Sequence, residues 1–240
     1  MIHIHTSQQP AQEAAAALNA LLDAYKDRDV LLLLSGGSAL SLLDTVDATL
    51  LSRQDVVCVL DERYTSEPAD SNTTQLVQSA FWERASKQHV SIIDPRPDEN
   101  ESLEDAARRF NLVLKEWHVL HHEGVVIATM GIGPDGHTSG VLPMPHNPDT
   151  FEELFFNHER CVRGYSVDVR VNPHTKRLTT TLSYIKKHVH HAVVYAAGDN
   201  KQEALKALVA RTGKLEATPA RILHALTDVH LYTDQEVLVN

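Results

Sequence analysis

Val125-Val126-Ile127-Ala128-Thr129-Met130-Gly131-Ile132-Gly133-Pro134-Asp135-Gly136-His137-Thr138 is the stretch that decides the fold. Its first six residues form an apolar, partly β-branched run of strand length. The three glycines, acid and histidine that follow cannot continue it. A strand this apolar is buried on both faces, as strands of a parallel sheet are. In open α/β sheets, ligands bind outside the carboxyl ends of the strands, so the loop is also where polar chemistry is expected.

Outward from this segment, apolar runs alternate with helical patterns. Gln12 to Lys26 carries Ala14, Ala17, Leu18, Leu21, Leu22 and Tyr25 at helical spacing. Val30–Leu34 reads as a buried strand stopped by Ser35-Gly36-Gly37, with Ser38 as cap of a helix reaching about Leu51. Val56–Leu60 is a second buried strand, ending at Asp61-Glu62-Arg63. Ser71–Arg84 reads as a helix and Val90–Ile93 as a short strand stopped by Asp94-Pro95-Arg96-Pro97. Glu101–His121 is a longer helix with Ala106, Phe110, Leu114 and Trp117 on its apolar face.

Beyond Pro148 the pattern is less regular. Cys161–Val171 reads as an edge strand or hairpin arm, and Leu178–Leu182 is another candidate strand. Val189–Ala197 is β-rich, Asn200–Ala210 helical, Ala220–Leu226 a short helix and Val229–Tyr232 a last strand. Strands alternating with helices of roughly 10–15 residues predict an α/β fold with a mainly parallel sheet. Without a Gly/Ser linker, charge block or internal repeat, residues 1–240 read as a single domain.

A net charge of −10 disfavours a nucleic-acid or anionic-membrane surface, yet leaves room for a local cationic pocket. Two cysteines, Cys58 and Cys161, supply no disulfide framework. No apolar run approaches the ~18 residues of a membrane helix. Met1-Ile2-His3-Ile4-His5 lacks the basic start and apolar stretch of a secretory signal, so the cytoplasm is the expected setting. The Asn72-Thr73-Thr74 sequon then reads as incidental.

Three loops at strand ends carry the chemistry. In Ser35-Gly36-Gly37-Ser38 the glycines let the backbone approach a ligand, and the helix start that follows offers free N–H groups to phosphate. A plain βα turn would use the same residues. Asp61-Glu62-Arg63 can be a solvated strand end. Beside the first loop, however, Arg63 could grip a phosphate bidentately, with Asp61 holding it. Gly131, Gly133 and Gly136 match the dinucleotide pattern G-x-G-x-x-G. The long helix that pattern requires is cut by Pro143, Pro145 and Pro148, and Asp135 would repel a pyrophosphate. The better reading makes His137 a general base, its reference pKa of about 6.5 suiting proton transfer at neutral pH. Asp135 then orients the ring or contacts substrate.

The remaining histidines (His3 with His5 on one strand face, His121-His122, and His188 with His190-His191) show no spacing that specifies a metal site. No G-x-S-x-G elbow is present, and neither cysteine sits in a nucleophile signature.

Taken together, the loops resemble the 6-phosphogluconolactonase family, within the superfamily shared with glucosamine-6-phosphate deaminase/isomerase. The resemblance is carried by Ser35-Gly36-Gly37-Ser38, by Asp61-Glu62-Arg63 with Ser71-Asn72, and by Gly131-x-Gly133-x-Asp135-Gly136-His137-Thr138 with Pro143. Arg177-Leu178-Thr179 and Gly198-x-x-Lys201 follow in the family's order, so that roughly residues 10 to 233 are covered. The resemblance implies a Rossmann-like sheet flanked by helices, with smaller additional elements in the C-terminal half. It implies hydrolysis of 6-phospho-D-glucono-1,5-lactone in the pentose phosphate pathway, with His137 activating water, Asp135 in the same loop, and no metal or other cofactor. Gly36, Gly37, Arg63, Arg177 and Lys201 become candidate sugar-phosphate contacts. The expected partner is a small phosphosugar, with neither nucleic acid nor membrane, and the protein a monomer or homodimer.

Two segments depart from the family's pattern. Gly-Gly-Ser-Thr-Pro is replaced by Gly36-Gly37-Ser38-Ala39-Leu40, and Thr-Ala-Ser-Leu-Phe-Pro by Thr138-Ser139-Gly140-Val141-Leu142-Pro143. Two other readings stay open. One is a glucosamine-6-phosphate deaminase/isomerase using Asp61 as proton carrier, against which Arg63 and the missing Asn-Glu pair after the Asp-Gly-His loop both count. The other is a non-catalytic sugar-phosphate-binding protein of the same fold.

Overall fold

The computed structural model describes residues 1–156 and 159–237. Strand β1 (Ile2–Thr6) leads to helix α1 (Pro10–Ala24), which opens on a proline where a missing N–H is tolerated. Then come β2 (Val30–Leu34), β3 (Val56–Val59), the short β4 (Asp61–Arg63), α2 (Asn72–Val77), α3 (Ala80–Lys87) and β5 (Ser91–Ile93). Helix α4 (Leu103–Leu120) precedes β6 (Val125–Gly131). The C-terminal half holds α5 (Pro148–Phe155), β7 (Val162–Ser166), β8 (Lys176–Thr180), α6 (Leu182–His188), β9 (His191–Tyr195), α7 (Gln202–Val209) and β10 (Asp228–Thr233).

Seven strands form a parallel sheet in the order β1-β10-β9-β6-β2-β3-β5. Helices cover both faces, which is the α/β architecture the sequence pattern predicts. The alternation along β2 shows why. Leu31 and Leu33 join Cys58, Val126, Phe110, Leu114 and Trp117 on one face, while Leu32 and Leu34 join Val57, Ile127, Leu18, Leu22 and Phe81 on the other. Successive strands run outward from β2 through β3 to β5, and β6 lies on β2's opposite side. The direction in which successive strands are added therefore reverses between β2 and β6, and the loops leaving those two parallel strands part to open a crevice.

A second, antiparallel sheet has the order β4-β8-β7. Leu60 joins the two sheets: its N–H donates to Leu34 O at 2.8 Å and its carbonyl accepts from Thr180 N–H at 2.9 Å. The charged triplet Asp61-Glu62-Arg63, read from sequence as a loop, is thus a strand paired with Arg177, Leu178 and Thr179.

Other expectations are corrected. The α-helix expected over Ser38–Leu51 is two 3-10 segments, Gly37–Asp44 and Ala48–Leu50. Asp47 accepts from Thr49 N–H and starts the second of them afresh. Gly36, not Ser38, stands at the first N-cap, and no side chain caps there. The helix expected over Ser71–Arg84 breaks in two at Ser79, whose hydroxyl accepts from Trp82 N–H. Helices α5 and α6 leave no clear mark in the sequence. Each is about two turns long, too short for apolar periodicity to declare itself.

Candidate active site

The loops after β2 and β6, strand β4 and the β7–β8 hairpin enclose a cleft of about 280 Å³, close to the lower end of the roughly 300–1,000 Å³ of small-molecule sites. Ser35, Gly36, Gly37 and Ser38 form one wall. Asp61, Arg63 and Arg177 line it from the second sheet, and His137 and Lys201 complete it. Asp135 stands behind His137 and is hydrogen-bonded to it. The structure thus brings the sequence-derived candidates to one place.

In the loop after β6, Gly133 N–H donates to His137 O and Gly136 N–H to Gly133 O, both at 2.9 Å, folding the turn back on itself. His137 N–H meets Asp135 Oδ1 at 3.1 Å, and the ring's Nδ1 meets the same oxygen at 2.5 Å. A Cβ on Gly133 would strike the His137 ring, so the close approach requires glycine there. Burial works to raise the Asp135 pKa, but its hydrogen bond to His137 and that residue's charge outweigh burial and hold the carboxyl below its usual value. An ionised Asp135 accepting from Nδ1–H leaves Nε2 of neutral His137 as an acceptor.

The second sheet braces this loop. Thr179 Oγ1 donates to Ser139 O, and Tyr165 OH donates to Gly140 O. Ser139 itself is buried and held at φ +50°, a conformation few side chains adopt without support from their surroundings. Burial pushes the Tyr165 phenol well above its usual pKa, so it remains a donor.

Cationic groups converge on the cleft despite the acidic chain. Arg177 NH1 pairs with Asp61 Oδ2 at 3.2 Å, with the two side chains only 5% and 7% exposed. Arg177 NH2 is steadied by Asn172 Oδ1 at 3.1 Å. Arg63 NH1 donates to Asp70 O at 2.7 Å, while the buried Nε atoms of Arg63 and Arg177 have no protein partner. Lys201, in the 3-10 turn Asp199–Lys201 before α7, has its pKa lowered by burial, an effect that the charge of Asp135 opposes.

Sequence reasoning assigned no role to several cleft residues. Asn172, Pro173 and His174 arrive from the β7–β8 hairpin tip, and Asn72, Ser139 and Gly140 also line the cleft. Asn172-Pro173 is a turn signal, but nothing local says that the turn arches over a site. Burial lowers the His174 pKa, the charges of Arg63 and Arg177 lower it further, and Asp70 at 3.7 Å opposes them. Among the described residues, no group of three or more His, Cys, Asp or Glu is placed to hold a metal ion. No helix of the described residues is long and apolar enough to cross a membrane.

A parallel α/β sheet with a glycine-lined, cationic cleft at its switch point defines a protein suited to a small anionic ligand. The chain belongs to the family described as glucosamine-6-phosphate isomerases/6-phosphogluconolactonase, whose model matches residues 5–231. Among solved structures, it is similar to a 6-phosphogluconolactonase from Shewanella baltica at 17% identity and TM-score 0.72, covering 97% of this chain and 96% of that one. A 6-phosphogluconolactonase from Leishmania guyanensis matches at 23% identity and TM-score 0.70, with coverages of 97% and 96%. A monomeric glucosamine-6-phosphate deaminase matches at 18% identity and TM-score 0.68, covering 98% of each chain. At these identities the likeness is one of fold. No curated protein matches the sequence.

Proposed function

We propose that the protein hydrolyses 6-phospho-D-glucono-1,5-lactone to 6-phosphogluconate in the pentose phosphate pathway. It would act as one phosphosugar-binding α/β unit over residues 1–240, in the cytoplasm, as a monomer or homodimer. The observation that carries this reading is the His137–Asp135 pair at 2.5 Å in the cleft that the Ser35–Ser38 turn also lines.

The phosphate rests on the N–H groups at the start of the Gly37–Asp44 helix, with Arg63, Arg177 and Lys201 supplying positive charge. Binding at that end orients the lactone ring, so remote binding energy lowers the barrier at C1. His137 Nε2 takes a proton from water as the oxygen adds to the C1 carbonyl. Asp135 holds the tautomer and steadies the imidazolium that forms. The tetrahedral oxyanion collapses, the C1–ring-oxygen bond breaks, and His137 returns its proton to the departing oxygen. The steps use no metal.

The deaminase alternative needs a carboxylate free to move protons at sugar carbons. Asp61 is instead engaged by Arg177 at 3.2 Å, which favours the lactonase. Purified protein should accelerate loss of freshly made lactone above its spontaneous rate, and His137→Ala should abolish the acceleration. Ammonia release from glucosamine 6-phosphate without lactone turnover would reverse the order. Phosphosugar binding with neither reaction would leave a non-catalytic binder.

A further inference from the structure

One fully buried carboxylate beside the cleft takes no part in these steps. Glu62 Oε1 accepts from Arg63 N–H at 2.7 Å and Asn72 N–H at 2.8 Å. Its Oε2 accepts from Thr73 N–H at 2.8 Å and from the Ser71 hydroxyl at 3.0 Å. All four partners are neutral donors, the complement of an acceptor-only carboxylate. Bonds of this charge-assisted kind are roughly twice as strong as neutral ones. They clamp the first turn of α2 against β4.

The clamped segment carries three contacts to the cleft. Asp70 O, immediately before it, accepts from Arg63 NH1 at 2.7 Å, so Arg63 is held at its backbone by Glu62 and at its guanidinium by Asp70. Asn72 Nδ2 donates to Asp61 O at 2.8 Å, and since a carbonyl can only accept, that bond fixes the orientation of the carboxamide. The same carboxamide packs against Gly36, where a Cβ would overlap its oxygen, carbon and nitrogen. A larger residue at position 36 would drive the first loop off the second.

We propose that Glu62 is a positioning residue for phosphate capture: through the start of α2 it sets the Arg63 guanidinium and the Gly36–Ser38 backbone at a fixed separation, so that both meet one phosphoryl group. The proposal rests on the phosphosugar reading above. It separates two jobs in the cleft, anion capture organised by Glu62 and proton transfer organised by Asp135. The two carboxylates sit on different elements, Glu62 on strand β4 and Asp135 on the loop leaving β6.

The test is Glu62→Gln, in which one amide oxygen can still receive Arg63 and Asn72 while the NH₂ group opposes Thr73 N–H. Calorimetry with 6-phosphogluconate should show Kd raised about tenfold or more, and KM for the phosphorylated lactone should rise with it while kcat stays within about threefold. The preference for phosphorylated over unphosphorylated gluconolactone should fall by the same factor. A merely structural role would lower turnover of both lactones together, and that result, or an unchanged Kd, overturns the proposal. If Glu62→Gln does not fold, Asn72→Ala keeps the backbone bond to Glu62, removes the contact with Gly36, and should give the same selective loss. A parent protein that binds 6-phosphogluconate without turning over lactone, and loses that binding in Glu62→Gln, would sink the lactonase reading alone.

Discussion

His137 and Asp135 share two hydrogen bonds within a turn of three residues, both to Asp135 Oδ1: one from the ring Nδ1 at 2.5 Å and one from His137 N–H at 3.1 Å. The ring is therefore oriented by its own loop and not by a distant element. Asp135→Asn should keep the size and remove the preference for the Nδ1–H tautomer. The carboxamide can present its NH₂ to the ring and leave Nε2 carrying the proton. We expect kcat to fall by about 10²-fold or more, with affinity for 6-phosphogluconate little changed. Steady-state kinetics with calorimetry on the same samples checks it. A fall below about threefold would remove Asp135 from the mechanism.

The ion pair of Asp61 with Arg177 is nearly fully buried, so breaking it from one side leaves a charge without its partner. Such a loss costs about 3–5 kcal/mol in comparable settings. Arg177→Met should therefore lower the urea midpoint strongly. Replacing both, Asp61→Asn with Arg177→Met, should recover part of that stability, since no lone charge remains buried. Chemical denaturation of the two variants and the parent measures the coupling.

Much of this architecture was legible in the sequence because buried parallel strands announce themselves. Val30–Leu34 and Val125–Ala128 are apolar without interruption, and a glycine follows each within three residues. The pocket's two principal walls followed from the same signal. What stayed hidden was non-local. Asp61-Glu62-Arg63 looks like a solvated strand end, and only its pairing with β8 reveals a second sheet. Glu62 carries no local mark distinguishing it from the exposed acids, because its four partners lie on a segment whose position the fold decides. The helix expected from Ser38 ends locally: Thr45 N–H closes on Leu42 O after Asp44, and Asp47 takes the Thr49 N–H to begin a separate turn.

Far from the cleft, a cluster of imidazoles should make stability depend on pH. His118 stacks on His188 with ring centroids 4.0 Å apart, and His118 Nε2 meets Tyr184 OH at 3.1 Å. Burial, with the charges of His190 and Lys187, lowers the His118 pKa from 6.5 to about 4. Burial does the same to His188, with His118, Lys187 and His190 adding to it, again to about 4. Above pH 6.5 both rings are neutral whether the chain is folded or not, so their contribution is fully present. As pH falls through 6.5 the unfolded chain binds protons that the folded chain refuses until about pH 4, and stability drains away across that window. Urea midpoints measured from pH 7 down to pH 4 should decline. His118→Phe with His188→Leu should flatten the decline, and an equally steep slope in that variant would assign it to other groups.

Gly133 offers the sharpest separation of chemistry from binding. A methyl group there would meet His137 Cε1 and Nδ1 and Asp135 Oδ1, so Gly133→Ala must push the ring off its present position. Displacing a catalytic group by about 1 Å can cost about 10²-fold in rate. The Ser35–Ser38 turn leaves β2, not β6, and its Gly36 packs against the Asn72 carboxamide, which in turn donates to the Asp61 carbonyl. Gly133→Ala should therefore lower kcat about 10²-fold while the Kd for 6-phosphogluconate stays within about threefold. Were kcat unchanged, the ring's present placement would be irrelevant to the rate. Were Kd to rise in step with the loss of kcat, His137 would be holding the ligand instead of moving its proton.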